Sequence, residues 1–466
     1  MHYRPVVDRF VEIPALDPIW FMLFIAAFFA VALLTQRRPF YGLLALIATA
    51  PFAFAHAVGH TTVTLPKVAL LAVVLGLCAH PALFLRLRSR AARWWIVAFA
   101  VMVAATALSV TQADYLAPAL RESLKAIEAL AIFAVALLAS DERDALDRLA
   151  LPTIAATTVL VSLLALLEVV VGAPSGLALG AIVLPRIAGP LGGPNQLAGF
   201  LEIAIAVLVA AQLAQPRRYL AWALAAAFLA EILTLSRAGI FLSICIVALL
   251  AFLRPQKVRT TILPVASALL LAVVVGVGAA LANVLTGARP AVVVGVNAAL
   301  ANVLAGARPA NLTASMHGLL RIGAQQTGTG GVGTRRELWR AAIALWRTHP
   351  WLGIGAGNYH LELGRVGLPN VRTQPNSLYL RALVDGGIPL LAATLWLWIG
   401  GIVRLAAAPI RNDAWAAAAF AATLALAVHG IVDNLQFYPK VLTWWLVLVA
   451  IAVSRQIAGA SHPRAE

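Results

Sequence analysis

From Trp20 to Val453 the chain returns repeatedly to apolar runs of about twenty residues, the length of helix that crosses a bilayer. Short charged connectors separate these runs, and no stretch is left over for a soluble domain. Hydrophobic residues make up 62% of the chain and charged ones 12%, with a mean hydropathy of +0.90, far outside the range of soluble globular domains. The fold class expected is therefore an all-α polytopic membrane protein. Candidate spans fall near 19–35, 40–56, 67–85, 94–111, 124–139, 152–172, 196–214, 219–236, 238–253, 262–283, 388–406, 414–432 and 441–456. Twelve crossings are preferred over thirteen, because 40–56 contains Pro51 and is the weakest span. Met1 to Pro18 reads as a tail, since no small-residue cleavage site follows a short apolar stretch. Cys78 and Cys245 lie in apolar runs, where they act as small hydrophobes.

The net charge is +16, and lysine occurs only at positions 67, 125, 257 and 440. The connectors "RLRSRAAR" (86–93), "QPRR" (215–218) and "LRPQKVR" (253–259) are separated by even numbers of spans, so the positive-inside rule places all three in the cytoplasm. Anionic lipid accounts for much of this charge, and no nucleic acid is implied. The same alternation divides the chain into spans over 1–283, a long loop over 284–388 outside the cytoplasm, and spans with a short cytoplasmic tail over 389–466. That loop holds ten arginines, no lysine and three acids, a bias an anionic ligand would explain. It begins with a tandem duplication, 273–291 repeated as 292–310 with two differences. Two copies are too few for a solenoid.

Within the loop, Thr334 and Glu337 have capping-box spacing and predict a helix from Arg335 to Thr348 before Pro350. At about 100° per residue, Arg336, Arg340 and Arg347 share one stripe, flanked by Trp339 and Trp346. Guanidinium forks match phosphate oxygens, and a helix start adds backbone donors. Arg335, Arg336 and the helix N-terminus thus form a candidate diphosphate cradle. A basic amphipathic helix resting on anionic headgroups satisfies the same pattern. "GTGGVG" (328–333) follows no strand and is not a dinucleotide motif. Arg186, beside a "PN" turn, and Arg237, in the tight turn "LSRAG", add two more arginine sites on the same side. Glu168, Glu202 and Glu231 lie in or near apolar runs, as relay or groove residues or as helix-to-helix hydrogen-bond partners. Asp433 lies one helical turn beyond His429, placed to orient a sugar or an arginine. Neither clustered acids nor Cys/His spacing indicates a metal site.

The ordered set "R-x-x-G-x-x-x-x-PN" (186–195), "SRAG" (236–239), "R-x-x-W…HP-x-x-GIGAGN" (336–358), "NSLYLRALVDGG" (376–387) and "HGIVDN" (429–434) resembles the O-antigen ligase and O-antigen polymerase superfamily over about residues 150–440. The resemblance implies an inner-membrane glycosyltransferase of the GT-C type, acting in the periplasm on a glycan carried by undecaprenyl diphosphate and needing no cofactor. It implies that Arg237 and Arg336 hold the diphosphate, with Arg186 a third motif arginine and Arg340 on the same stripe. Where the family has a histidine proposed as base, this chain has Asn376, which has no useful pKa, and a later motif glycine is Leu390. His360 or Asp385 then takes the base role, or arginine stabilisation of the leaving group carries the rate, or the chain is an inactive form. Ligation to lipid A core is favoured over polymerisation and over protein O-oligosaccharyl transfer. An anion transporter is disfavoured, because no long-period repeat relates two halves.

Overall fold

The structure, a computed structural model, describes residues 18–52, 55–58, 61–171, 175–179, 182–254, 335–369, 371 and 373–460. The expected span 262–283 and the duplication at 273–310 lie outside the described residues. Five helices are long and apolar enough to cross a membrane: Arg90–Gln112, Leu146–Val169, Pro194–Ala214, Leu378–Ala406 and Pro439–Ala458. Leu65–Leu77 with Pro81–Arg88, bent by 105°, makes a sixth if the pair is one span. Met22–Arg37, Pro39–Thr49, Arg237–Leu253 and Ala414–His429 are shorter apolar helices. Pro39–Thr49 rises about 16 Å at the α-helical rise per residue, half of a hydrocarbon core, and it ends before Pro51.

Pro194–Ala214 is the axis of the bundle. Every residue from Leu197 to Leu213 is buried, as expected of a helix that is hydrophobic all round. Around it pack Arg218–Leu233, Arg237–Leu253, Ala414–His429 and Pro439–Ala460. Its start is set by Gly193 in an extended conformation and by Pro194 at the first helical position, where a missing N–H is harmless. A second layer joins Arg90–Ser109 to Leu378–Ala406 and Leu116–Ala139 to Pro439–Ala460. The joint is aromatic: Trp398 stacks on Trp445 at 4.5 Å between ring centroids, and Trp95, Phe99 and Phe133 pack edge-on or tilted beside them.

The bundle is helical, as the apolar runs predict, and two short antiparallel hairpins adjoin it. Ala55–Val58 pairs with Thr61–Thr64, and Ser175–Leu179 with Ile182–Arg186. Both follow from β-branched residues next to chain reversals, at places where connectors leave the bundle. The expected span near 388–406 is the second part of a helix that is kinked just before it. Ser377 caps a helix at Leu378 that runs to Ala406, broken at Gly386 and Gly387 just before Pro389. Hydropathy misses its first turns because they carry Arg381 and Asp385.

The break has a packing reason. Gly387 adopts φ +64°, and a Cβ there would lie 2.2 Å from the Trp351 carbonyl oxygen. A Cβ on Gly353, at φ +66°, would lie 2.5 Å from the Asp385 carbonyl carbon. The loop after Pro350 therefore lies directly on the broken helix, with Ile354 N donating to the Val384 carbonyl oxygen (2.9 Å) and Ile388 N to that of Pro350 (3.3 Å). Gly387→Ala should lose about 1–3 kcal/mol, the usual scale of backbone strain in the left-handed region. Thermal unfolding of the detergent-solubilised protein should report a lower midpoint; an unchanged midpoint would contradict this contact.

Candidate functional site

At the end of the central helix that begins at Pro194, three arginines converge from separate segments. Arg186 closes a hairpin strand, opposite Ser175. Its Nε donates to the Thr234 carbonyl oxygen (2.9 Å), and a terminal guanidinium nitrogen donates to Asn195 Oδ1 (3.1 Å). Arg237 is the first residue of Arg237–Leu253, and Arg335 the first of Arg335–Thr348. Burial, then the charges of Arg237 and Arg335, push the Arg186 guanidinium below its usual pKa, with Asp433 opposing them. Asp433 Oδ2 accepts from Asn195 Nδ2 at 2.6 Å, so a chain of polar contacts runs from Asp433 through Asn195 to Arg186. The side chains of Arg237 and Arg335 are exposed.

The turn carrying Arg237 is held by hydrogen bonds. Leu235 sits at φ +52°, a conformation uncommon for a leucine. Thr234 Oγ1 accepts from Ser236 N (3.0 Å), and Ser236 Oγ caps Gly239 N (3.4 Å). Behind the turn, Glu231 is buried, and neither of its oxygens has a hydrogen-bond partner among the described residues. A Cβ on Gly239 would lie 2.3 Å from Glu231 Oε1, so the glycine of "SRAG" makes room for that carboxyl group. Glu202 Oε1 meets His429 Nδ1 at 2.6 Å, both buried. Glu168 accepts from Ala188 N (2.7 Å) and Gly189 N (3.1 Å) and so anchors the loop after Arg186.

On Arg335–Thr348, Leu338, Ala341, Ala342 and Leu345 form the buried face, while Arg336, Arg340 and Arg347 are exposed opposite it. Among the described residues, the cations next to Arg186 are Arg237 and Arg335. The stripe of Arg336, Arg340 and Arg347 turns away from the core, and Arg335 at its edge is the residue brought to the cluster.

Asp385 and His360 lie in a different network. Asp385 Oδ2 accepts from Arg381 Nε (3.1 Å) and Gly357 N (3.2 Å), and Arg381 reaches Glu122 Oε2 at 2.9 Å. Lys125 Nζ bonds Glu122 Oε1 at 2.6 Å, and His360 is an electrostatic neighbour of Glu122. Arg381, one of the ten loop arginines by sequence, is buried here and neutralised on both sides. Only its spacing of four from Asp385 signals this pairing. Glu122 lies two residues before the expected span 124–139 and is legible in the sequence only as an ionisable group beside a span. Asn376 adopts φ +51° immediately before the Ser377 cap, a conformation asparagine tolerates.

The fold and site together define a polytopic membrane protein with an arginine cluster gathered at the ends of helices. Residues 220–395 match the family described as O-Antigen ligase. Over that segment the chain is similar to the O-antigen ligase family. No curated protein matches the chain. The matched segment contains Arg237, Arg335, Arg336, Arg340, His360, Asn376 and Asp385, while Arg186, Asn195 and Asp433 lie outside it and reach the cluster only through the fold.

Arg381→Met should strand the buried Asp385 carboxylate, while Glu122 keeps Lys125, and cost about 3–5 kcal/mol, the usual penalty for breaking a buried pair. Adding Asp385→Asn should restore part of this. Denaturant or thermal unfolding of the single and double variants measures both, and additive losses would contradict the coupling.

Proposed function

We propose that the protein transfers a polysaccharide from undecaprenyl diphosphate to lipid A core on the periplasmic side of the bacterial inner membrane, as a GT-C type ligase. The observation that carries this reading is the convergence of Arg186, Arg237 and Arg335, with Asp433 as the acid linked into the cluster through Asn195. Like charges gathered in this way repel unless an anion joins them. Arg237 and Arg335 also stand at helix starts, where free N–H groups and the helix dipole favour phosphate. Arg336 and Arg340, on the adjoining exposed stripe, extend the cationic surface toward the glycan-bearing side of the diphosphate.

The reaction is a displacement at the anomeric carbon with inversion. The acceptor hydroxyl oxygen forms the new bond, the bond from carbon to the diphosphate oxygen breaks with its electron pair, and the guanidiniums take up the developing negative charge. Preorganised charge of this kind is often the main source of an enzyme's rate enhancement. This step is metal-independent, since arginine supplies the cationic stabilisation. The proton leaves to a carboxylate or imidazole of the neighbouring network. Asp385, with Oδ1 unpartnered among the described residues, is the better placed, and His360, beside Glu122, is the alternative. Asn376 serves the backbone at its left-handed position.

Purified protein mixed with lipid-linked glycan and lipid A core in EDTA should shift a glycan ladder onto lipid A core. Arg237→Ala and Arg335→Ala should each lower the rate by about 10²–10³, the scale for removing one oxyanion donor, while membrane insertion is retained and Asn376→Ala stays near wild type. Glycan lengthening without attachment to lipid A core would make the protein a polymerase. Full activity in either arginine variant would sink the diphosphate assignment.

A further inference from the structure

A pocket of about 770 Å³ lies at the end of the bundle opposite the arginine cluster. That volume is within the roughly 300–1,000 Å³ of small-molecule sites. Arg90–Ser109 and Ala414–His429 start at this pocket, while Leu378–Ala406 and Pro439–Ala460 finish at it, and together they bring Arg90, Asp413, Arg404 and Arg455 into its wall. From Asp413 to His429 the helix rises about 24 Å, so most of a hydrocarbon core separates the pocket from Asp433. The connector 86–93 borders it, on the side that the positive-inside rule assigns to the cytoplasm.

Three arginines and one carboxylate line this pocket, and the carboxylate is already engaged. Asp413 Oδ2 accepts from Arg455 Nε at 2.6 Å, and its Oδ1 caps Trp415 N (2.9 Å) and Ala416 N (3.4 Å). That leaves Arg90 and Arg404, neither of which has a hydrogen bond or an ion pair among the described residues. The Arg404 guanidinium is held over the Trp94 ring, 4.8 Å from its centroid. Arg404 stands in the last turn of its helix, where a cation complements the dipole, but Arg90 is the first residue of its own helix, where the dipole opposes one. No acid in that first turn offsets it. Two uncompensated guanidiniums on one concave wall point to an anionic ligand.

An apolar strip leads away from the pocket. Val403, next to Arg404, is exposed, as are Ile399 and Trp396 on the same helix and Val97 on its neighbour. Ile399 and Val403 are four residues apart and so share a face. Trp94 meets Trp396 edge to face at 5.9 Å between centroids, and a Cβ on Gly400 would lie 2.4 Å from the Trp94 ring, so the two helices pack closely beneath the strip. A soluble phosphate compound would engage the arginines and leave the strip bare. A phospholipid engages both, since guanidinium forks match phosphate oxygens and basic pockets between spanning helices suit anionic headgroups.

We infer that this pocket binds the phosphate of an anionic phospholipid from the leaflet opposite the arginine cluster, with Arg90 and Arg404 as its cations and an acyl chain along Val403, Ile399 and Trp396. The phosphate offsets the charge of Arg90 at its helix start and ties the ends of Arg90–Ser109 and Leu378–Ala406 together. The site shares no residue with the proposed transfer machinery and does not depend on it.

The test places the photocrosslinker p-benzoylphenylalanine at Ile399 in the full chain, in nanodiscs of phosphatidylcholine doped with phosphatidylglycerol, and identifies the crosslinked lipid by mass. Phosphatidylglycerol should be enriched in the adduct by about tenfold over its share of the bilayer, a difference of 1.4 kcal/mol. Arg90→Gln and Arg404→Gln should each bring the enrichment down to about twofold or less, while Arg218→Gln, which removes an exposed arginine from another connector, should leave it unchanged. An excess of glycerol 3-phosphate, which carries the phosphate without the chains, should not displace the lipid. An adduct that mirrors the bulk lipid ratio, or enrichment that Arg218→Gln lowers as much as the pocket variants do, would overturn the inference. Loss of the enrichment in glycerol 3-phosphate would make the ligand a soluble phosphate compound and overturn the assignment to lipid. The readout involves no glycosyl transfer, so failure of the transferase reading leaves it standing, and the reverse holds.

Discussion

A guanidinium inside an apolar bundle must be neutralised, and Arg381 meets that requirement by joining three parts of the chain. It pairs with Glu122 from Leu116–Ala139 and with Asp385 one turn along its own helix, and it lies over Phe437 from the connector before Pro439. Asp385 in turn accepts from Gly357, so the glycine-rich loop after Pro350 is fixed to the same charge centre. Burying these ions is costly unless the geometry satisfies them. That explains why the helix breaks at Gly386 and Gly387, where the loop backbone approaches closely enough to complete the network.

The arginine cluster obeys the opposite rule. Arg186, Arg237 and Arg335 come together with Asp433 linked in through Asn195, and two of the three are exposed. Cations balanced inside the protein belong to its stability, whereas these three arginines outnumber the one acid linked to them. The buried central helix gives the cluster its rigidity, since its first turn supplies Asn195 and its neighbours supply Arg186, Arg237 and Asp433. Strain at Leu235 and the seating of Glu231 against Gly239 fit the same account: the tight turn exists to set Arg237 at a helix start.

Much of this is legible in the sequence, for physical reasons that can be named. The apolar runs mark helices because hydropathy is local, and Arg186 and Arg237 stand out because charges beside spans are expensive. The helix expected from Arg335 to Thr348 is present, while Thr334, the first residue of its capping box, lies outside the described residues. Arg381 escapes a reading from sequence because burial depends on partners distant along the chain, and Glu122 is far upstream of it. The preference for Arg336 over Arg335 comes from its place in the motif and from helical phase, which shows that three arginines share a face but not which face meets the core. The hairpin that presents Arg186 is hidden because its short strands are as apolar as the adjoining spans. The pocket at the other end has no sequence signature, since Arg90 and Arg404 come to one wall only when their helices are packed.

Whether the arginine cluster recognises diphosphate decides the functional reading, and equilibrium binding tests that most directly. Undecaprenyl diphosphate and undecaprenyl monophosphate would be titrated against the full chain in nanodiscs, in EDTA. A preference for diphosphate of about tenfold or more, worth 1.4 kcal/mol, that disappears in Arg237→Gln is the predicted result. Equal affinity for the two lipids, or a preference that Arg237→Gln leaves unchanged, would contradict it.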